Sequence, residues 1–404
     1  MEIITGGICA PKGFKASGIH CGIRKNHDKK DLAMIVSDVT ATAAAVYTTN
    51  LVKGAPITVT KDHLSDGLAK AVIVNSGNAN TCNSDGREVA EKMCGFVEKY
   101  AGVKAKDVII ASTGVIGQKL DTTPIENGMT ELTQALSYDG CSDAASAIMT
   151  TDTVPKVIAV SFTVGGKEVK LGGIAKGSGM IHPNMATMLV FLTTDCAISS
   201  RMLQKALSTD IASTFNMVSV DGDTSTNDMV CIMANGLAGN ELINSEGEDF
   251  DEFMKALNTV NMFLCRSIAA DGEGATKLVE CTVNGAPNIE IARGAAKSVI
   301  TSSLVKAAMF GADANWGRVL CALGYSGLDL DPDEIDVSFI SKKGEIVVCT
   351  GGRGVDFSEE KAKEILLEDE ITIKVCLNSG SVSATAWGCD LTYDYVKING
   401  DYRT

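Results

Sequence analysis

The sequence predicts an α/β protein whose mixed sheets are layered with helices, and three observations carry that expectation. Short apolar runs bounded by turn residues alternate along the chain with stretches of helical periodicity. Residues 157–173, VIAVSFTVGGKEVKLGG, read as a hairpin with Gly165 and Gly166 at its tip, which favours mixed or antiparallel sheets over a doubly wound parallel one. Hydrophobic residues form 45% of the chain and aromatic ones 5%, describing a core of aliphatic and small side chains. At 404 residues the chain exceeds the size at which one core keeps growing. A main α/β domain over 1–280 and a smaller C-terminal α/β domain over 281–404 are therefore expected.

Taken in order, LAMIVSD (32–38), ITVT (57–60) and AVIVNSG (71–77) read as strands. A helix follows over 84–102, with Val89, Met93, Phe96 and Val97 on one stripe, Ser84 or Asp85 as N-cap and Gly102 as a stop. VIIASTGVIG (108–117) is an apolar strand ending in a glycine-flanked turn. A polar helical region then runs to Ala147, and MTTDTVPK (149–156) reads as a turn. After the hairpin, a helix is expected from Ser199 to about Phe215, then strands at MVSVDG (217–222) and DMVCIMANG (228–236). A helix over 251–270 carries Phe253, Met254, Leu257, Val260, Leu264 and Ile268 at helical spacing. Beyond Ala275 strands and helices alternate again, with SEEKAKEILLEDE (358–370) as a charged surface helix.

Bulk properties exclude several functions. A net charge of −14 argues against nucleic-acid binding, which needs clustered Lys and Arg. No apolar run approaches the roughly 20 residues of a membrane span, and the N-terminus lacks the pattern of a signal peptide, so a cytoplasmic protein with no membrane partner is expected. Thirteen scattered cysteines without a C-x-x-C read as small buried hydrophobes in a reducing compartment. Forty glycines, above the average of about 7%, signal many tight turns and close backbone approaches. SVDGDTSTND (219–228) spaces Asp221, Asp223, Ser225 and Asn227 like a calcium loop, but Thr226 replaces the turn glycine and Ile232 the closing glutamate. A hydrogen-bonded turn is expected there instead. Glycine clusters lack a nucleotide-binding context, the four histidines lack metal spacing and no G-x-S-x-G occurs, so no metal and no bound cofactor are expected.

One stretch invites a chemical reading. In KGSGMIHPNMATMLVFLTTD (176–195), ten residues rich in glycine, polar groups and proline run into an apolar strand, with Ala186 and Thr187 at the seam. A turn held there would let the Thr187 hydroxyl attack the preceding carbonyl, and hydrolysis of the ester would leave Thr187 as a new N-terminus. Its freed α-amine, with a reference pKa of about 7.7–8.0, would serve as the general base without a histidine. An ordinary strand start explains the same spacing.

The stretch closely resembles the cleavage region of the ornithine acetyltransferase (glutamate N-acetyltransferase) family of arginine biosynthesis. The similarity extends through NSGNANTC (75–82), STGVIG (112–117), MTTDTVPK, SVDGDTSTND, DGEGATK (271–277), GADANWGR (311–318) and the closing NGDYRT. The resemblance implies a self-cleaving acyltransferase fold, cut between Ala186 and Thr187 into an α chain (1–186) and a β chain (187–404) that assemble as α2β2. It implies Thr187 as nucleophile and acetyl carrier, with Thr113 and Gly114 stabilising the oxyanion. Thr153, Lys176, Thr187, Glu273, Asn399 and Thr404 fall on substrate-binding positions, with Lys176 suited to an α-carboxylate, Glu273 to the ornithine ammonium, and Gly272 and Gly274 to a backbone that admits a ligand. The implied reaction moves acetyl from N-acetylornithine to glutamate in ping-pong order, with acetyl-CoA as a further donor in some members. The alternatives are a self-cleaving amidase or aminopeptidase that passes the acyl group to water, and a non-enzymatic binding module.

Overall fold

The computed structural model describes residues 1–182 and 188–401, so Ala186, Thr187 and Thr404 lie outside the described residues. A nine-stranded sheet occupies the first part of the chain: β1 (Glu2–Ile4), β2 (Phe14–Ile19), β3 (Leu32–Tyr47), β4 (Leu68–Asn78), β5 (Val108–Val115), β6 (Lys156–Val164), β7 (Lys167–Lys176), β8 (Leu189–Thr194) and β9 (Met229–Ala234). The order is β1-β6-β7-β8-β9-β3-β4-β5, with β2 also on β3. The β4–β5 and β8–β9 pairs are parallel and the others antiparallel. Between the strands run α1 (Ala55–His63), α2 (Gly86–Ala101), α3 (Thr123–Gln134), α4 (Cys141–Ile148), α5 (Ser200–Ile211) and α6 (Glu248–Ala270).

Strand β3 joins two halves of this sheet: its first residues pair with β2 and β4, its last with β9, and the register shifts between Val36 and Ala41. Alternation along each strand then sorts side chains into separate cores. Ala33, Ile35, Val72, Val74 and Ile109 from one half share a cluster with Leu189, Phe191, Met229 and Cys231 from the other, so the halves lie face to face. The outer faces are covered by helices. Met34, Ile73 and Ile110 meet Met93, Val97 and Met129 of α2 and α3, while Val190, Leu192, Val230 and Ile232 share a core with residues of α5 and α6. On α6, Phe253, Leu257, Val260, Leu264 and Ile268 are all buried, each contributing about 1.5–3 kcal/mol through removal from water. Truncating Leu264 to Ala would cost about 2–5 kcal/mol.

The second sheet comprises β10 (Leu278–Ala286), β11 (Asp336–Ser341), β12 (Gly344–Thr350), β13 (Arg353–Gly354), β14 (Glu370–Cys376) and β15 (Val382–Cys389), in the order β13-β12-β11-β14-β10-β15. Only β10–β14 is parallel among its pairs. Helices α7 (Ile289–Thr301), α8 (Ser303–Phe310), α9 (Trp316–Gly324) and α10 (Glu359–Leu366) accompany it, and α11 (Tyr393–Asp401) follows. Its core is continuous with that of α5 and α6.

The expected mixed α/β architecture is present, and the 157–173 hairpin is β6–β7, turning at Gly165 (φ 54°) and Gly166 (φ 75°). Three elements differ. ITVT lies inside α1 rather than in a strand: Pro56 stands in the first turn, and the Thr60 hydroxyl donates to the Ile110 carbonyl (2.8 Å), so packing against β5 outweighs β-branched propensity. MVSVDG forms a single bridge, Val218 to Trp387, instead of a strand: Met217 closes a 3-10 turn, and the Ser219 and Val220 N–H groups go to two different partners, the Trp387 and Ile181 carbonyls. The polar helical region is two helices, α3 and α4, broken at Gly140, where a Cβ would collide with the Ala16 carbonyl.

Candidate active site

Strand ends deliver the functional groups. Strand β5 runs parallel to β4 and closes at Thr113 and Gly114, with Gly114 opposite Gly77. Gly114 has φ 133°, and a Cβ there would stand 2.2 Å from the Gly77 carbonyl carbon, so the turn accepts glycine alone. Lys176 is the last residue of β7. Glu273 follows α6, its N–H donating to the Ser178 carbonyl at 3.0 Å, and Asn399 is carried by α11. Thr113, Gly114, Lys176, Glu273 and Asn399 line one pocket of about 580 Å³ including its open mouth, together with Thr150, Thr151, Met180 and Ser225–Asn227. Met180 holds a left-handed backbone (φ 58°), a local strain of the kind found at functional sites.

Lys176 is 2% exposed, and its Nζ lies 3.4 Å from Thr113 Oγ1. Burial pulls its pKa below the usual lysine value, helped by Lys156 and Arg24 and opposed by Asp152 and Glu273. Beside it, the Lys156 ammonium donates to Asp152 (2.8 Å) and Asp271 (2.6 Å). Burial alone would raise the Asp152 pKa, but Lys176, Lys156 and the Gly177 N–H outweigh it and hold the carboxyl at about 2.

The Asn399 amide donates to Glu273 Oε2 at 2.8 Å. Helix α11 is tied down by Thr392, whose hydroxyl donates to the Gly274 carbonyl (2.7 Å), and by Tyr395, whose hydroxyl donates to Asp221 (3.3 Å). Gly272 and Gly274 are closely packed: a Cβ at Gly272 would meet Cys389 Sγ of β15 at 2.7 Å, and one at Gly274 would meet the Tyr395 nitrogen of α11 at 2.7 Å; both also line a neighbouring hollow. Thr153 is not brought into the pocket. It donates its N–H and hydroxyl to Asp271 and lines that hollow with Asp394, Lys397 and Asp401.

The SVDGDTSTND loop grips the chain on both sides of residues 183–187. Asp221 accepts the N–H groups of Met180 (2.6 Å) and Ile181 (2.8 Å), and the Thr224 hydroxyl donates to the His182 carbonyl (2.8 Å). On the other side, the Met188 N–H donates to Asp228 Oδ1 (2.9 Å). The loop is therefore hydrogen-bonded, and among the described residues no cluster of three or more His, Cys, Asp or Glu could hold a metal. No helix among the described residues is long and apolar enough to cross a membrane.

The model of the ArgJ family matches residues 15–404. The chain belongs to the ArgJ family. The arginine biosynthesis bifunctional protein ArgJ of Caldanaerobacter subterraneus subsp. tengcongensis is 50% identical to it over 405 residues, covering 100% of both chains. ArgJ 1 of Clostridium acetobutylicum is 50% identical over 392 residues, covering 97% of this chain and 96% of its own. The crystal structure of ArgJ from Bacillus halodurans is 49% identical with a TM-score of 0.50, covering 52% of this chain and 98% of that one. As an ArgJ member, the protein is an acetyltransferase of arginine biosynthesis.

Reading the motifs missed Asp152, Lys156 and Asp271 as an ionic group, and Asn227 and Asp228 as structural donors and acceptors. All five stand inside stretches that carried the family resemblance, so their positions were marked but their roles were not.

Proposed function

We propose that this ArgJ chain transfers the acetyl group of N2-acetylornithine to glutamate through an acetyl-Thr187 intermediate. The observation that supports it is convergence: Thr113, Gly114, Lys176, Glu273 and Asn399, from four separate stretches, line one pocket whose wall residues 225–227 belong to the loop gripping both flanks of the Thr187 segment.

The chain first opens itself. Thr187 Oγ attacks the Ala186 carbonyl carbon, the Ala186–Thr187 C–N bond breaks, and the amine leaves with a proton. Water hydrolyses the resulting ester, giving an Ala186 carboxylate and a free Thr187 hydroxyl and α-amine.

In the transfer, the Thr187 α-amine takes the hydroxyl proton as Oγ attacks the acetyl carbon of N2-acetylornithine. The Thr113 hydroxyl and the Gly114 N–H hold the oxyanion, each such donor contributing about 10²–10³ in rate. Lys176, donating toward Thr113 Oγ1, leaves that hydroxyl's own proton for the oxyanion and adds positive charge nearby. The C–N bond breaks, the leaving nitrogen takes the proton from the Thr187 ammonium, and ornithine departs. Glutamate then attacks the ester through its amine, losing a proton, and N-acetylglutamate leaves as Thr187 Oγ is reprotonated. Lys176 pairs with the α-carboxylate of either amino acid, and Glu273, held by Asn399, meets the ornithine ammonium. Thr404 joins the substrate set on the resemblance alone, whereas Thr153, assigned there too, stands on Asp271 in the adjoining hollow.

We further propose acetyl-CoA as a second donor loading the same threonine. We place the enzyme in the cytoplasm as an α2β2 assembly. Replacing Thr187 by Ala tests the reading: the T187A chain should stay whole and transfer no acetyl. A T187A protein that cleaves or transfers overturns it, and catalytic ornithine release by wild type without glutamate would favour the hydrolase instead.

A further inference from the structure

Strands β5 and β8 carry the two partners of the proposed chemistry, the oxyanion turn and the segment that begins after Thr187, yet they are not neighbours. Strands β9, β3 and β4 stand between them in the sheet, so no ladder hydrogen bond fixes their separation. Two consecutive side chains span the gap.

Asn227 is buried, and its amide is fully committed. Its nitrogen donates to the Ala79 carbonyl (2.7 Å) and the Ser112 carbonyl (2.9 Å), while its oxygen accepts the hydroxyls of Thr81 (2.6 Å) and Thr226 (2.5 Å). Two donors facing carbonyls and one acceptor facing hydroxyls leave a single orientation for the group. Its seat is tight: a Cβ on Gly54 would stand 2.5 Å from the Asn227 amide nitrogen. The Ser112 carbonyl belongs to the peptide plane that leads into Thr113, so holding it holds the turn.

Asp228, the next residue, is fully buried. Its Oδ1 accepts the Met188 N–H (2.9 Å), and its backbone carbonyl accepts the Thr48 N–H (3.0 Å). The parallel register pairs Leu189 with Met229, which sets Met188 level with Asp228 on the preceding rung. One trans peptide, about 3.8 Å between Cα atoms, therefore links the hold on β5 to the hold on β8.

We propose that Asn227 and Asp228 are positioning residues for acetyl transfer, a two-residue clamp that fixes the oxyanion turn against the first residues of β8. The proposal rests on Thr187 being the acetyl carrier. Replacing Asn227 by Asp keeps the shape and withdraws both amide donors. Replacing Asp228 by Asn keeps a carbonyl acceptor for Met188, whereas Ala removes it. The full-length variants would be compared with wild type by intact mass for cleavage and by steady-state kinetics, with kcat normalised to β chain that acquires acetyl.

N227D should lose about 100-fold in normalised kcat, the scale of one oxyanion donor, with both KM values within about threefold of wild type. D228N should keep at least about a tenth of wild-type cleavage, and D228A should lose cleavage. If N227D does not fold, Thr81→Val withdraws one hydroxyl that orients the amide, and a fall of about fivefold in normalised kcat is expected. Wild-type kcat in N227D or T81V, or D228A cleaving as well as D228N, overturns the clamp. A wild-type protein that neither cleaves nor transfers would instead refute the Thr187 reading.

Discussion

Two buried lysines, side by side, are treated in opposite ways. Lys156 opens β6 opposite Ala175 of β7, and Lys176 is the next residue along β7; both side chains are essentially excluded from solvent. Lys156 has carboxylates at 2.8 and 2.6 Å from Asp152 and Asp271. Lys176 has a hydroxyl at 3.4 Å, longer than a strong charge-assisted bond, and among the described residues no carboxylate stands within ion-pair range of it. A saturated cation holds structure together. An unsaturated one, its pKa lowered by burial, is poised for an anion brought by a ligand, and in the proposed reaction each amino acid arrives with an α-carboxylate.

The contrast breaks most sharply at Lys156. Lys156→Met leaves Asp271 without its cation and Asp152 with only the more distant Lys176, and should cost about 3–5 kcal/mol of stability, read from the denaturant midpoint. A cost below about 1 kcal/mol would mean that the ion pairs are not structural.

The converse holds at Lys176. A buried ammonium with a depressed pKa is destabilising at neutral pH, so Lys176→Met should leave the midpoint unchanged or raised. It should lower kcat/KM for both amino-acid substrates by about 100-fold, about 2.7 kcal/mol, through loss of the carboxylate partner. Equal stability losses in the two variants would erase the distinction.

The smallest effect is on acid stability. Asp152 is held at about 2 against an ordinary value of 3.8, so its contribution is present above the unfolded value and lost as pH falls from about 4 through about 2. It amounts to roughly 2 kcal/mol at neutral pH. Removing either lysine should shrink this loss in a pH series of unfolding curves.

Much of the architecture was legible because period and punctuation agree. Gly165 and Gly166 mark the β6–β7 turn, and the stripe of Met93, Phe96 and Val97 marks α2. ITVT misled because four residues cannot distinguish a strand from the buried face of a short helix, and the arbiter, Thr60 against Ile110, is fifty residues away. The folding of the large sheet over β3 had no sequence signal either, since it depends on which strands pair. The same divide runs through the site. Thr113, Gly114, Lys176, Glu273 and Asn399 were named from motifs, whereas the partners that hold them are long-range. Asp152 binds both Lys156 and the Gly177 N–H, Asp271 reaches back to Lys156, and Asn227 reaches Ser112. Thr153, named with the first group, faces Asp271 in the adjoining hollow.

The most direct test is the intact mass of freshly purified wild-type protein under denaturing conditions, before and after exposure to N-acetylornithine. Two chains are expected, 1–186 and one beginning at Thr187, with only the second gaining one acetyl group. A single uncut chain of 42.3 kDa, or acetyl on any residue other than Thr187, would contradict that expectation.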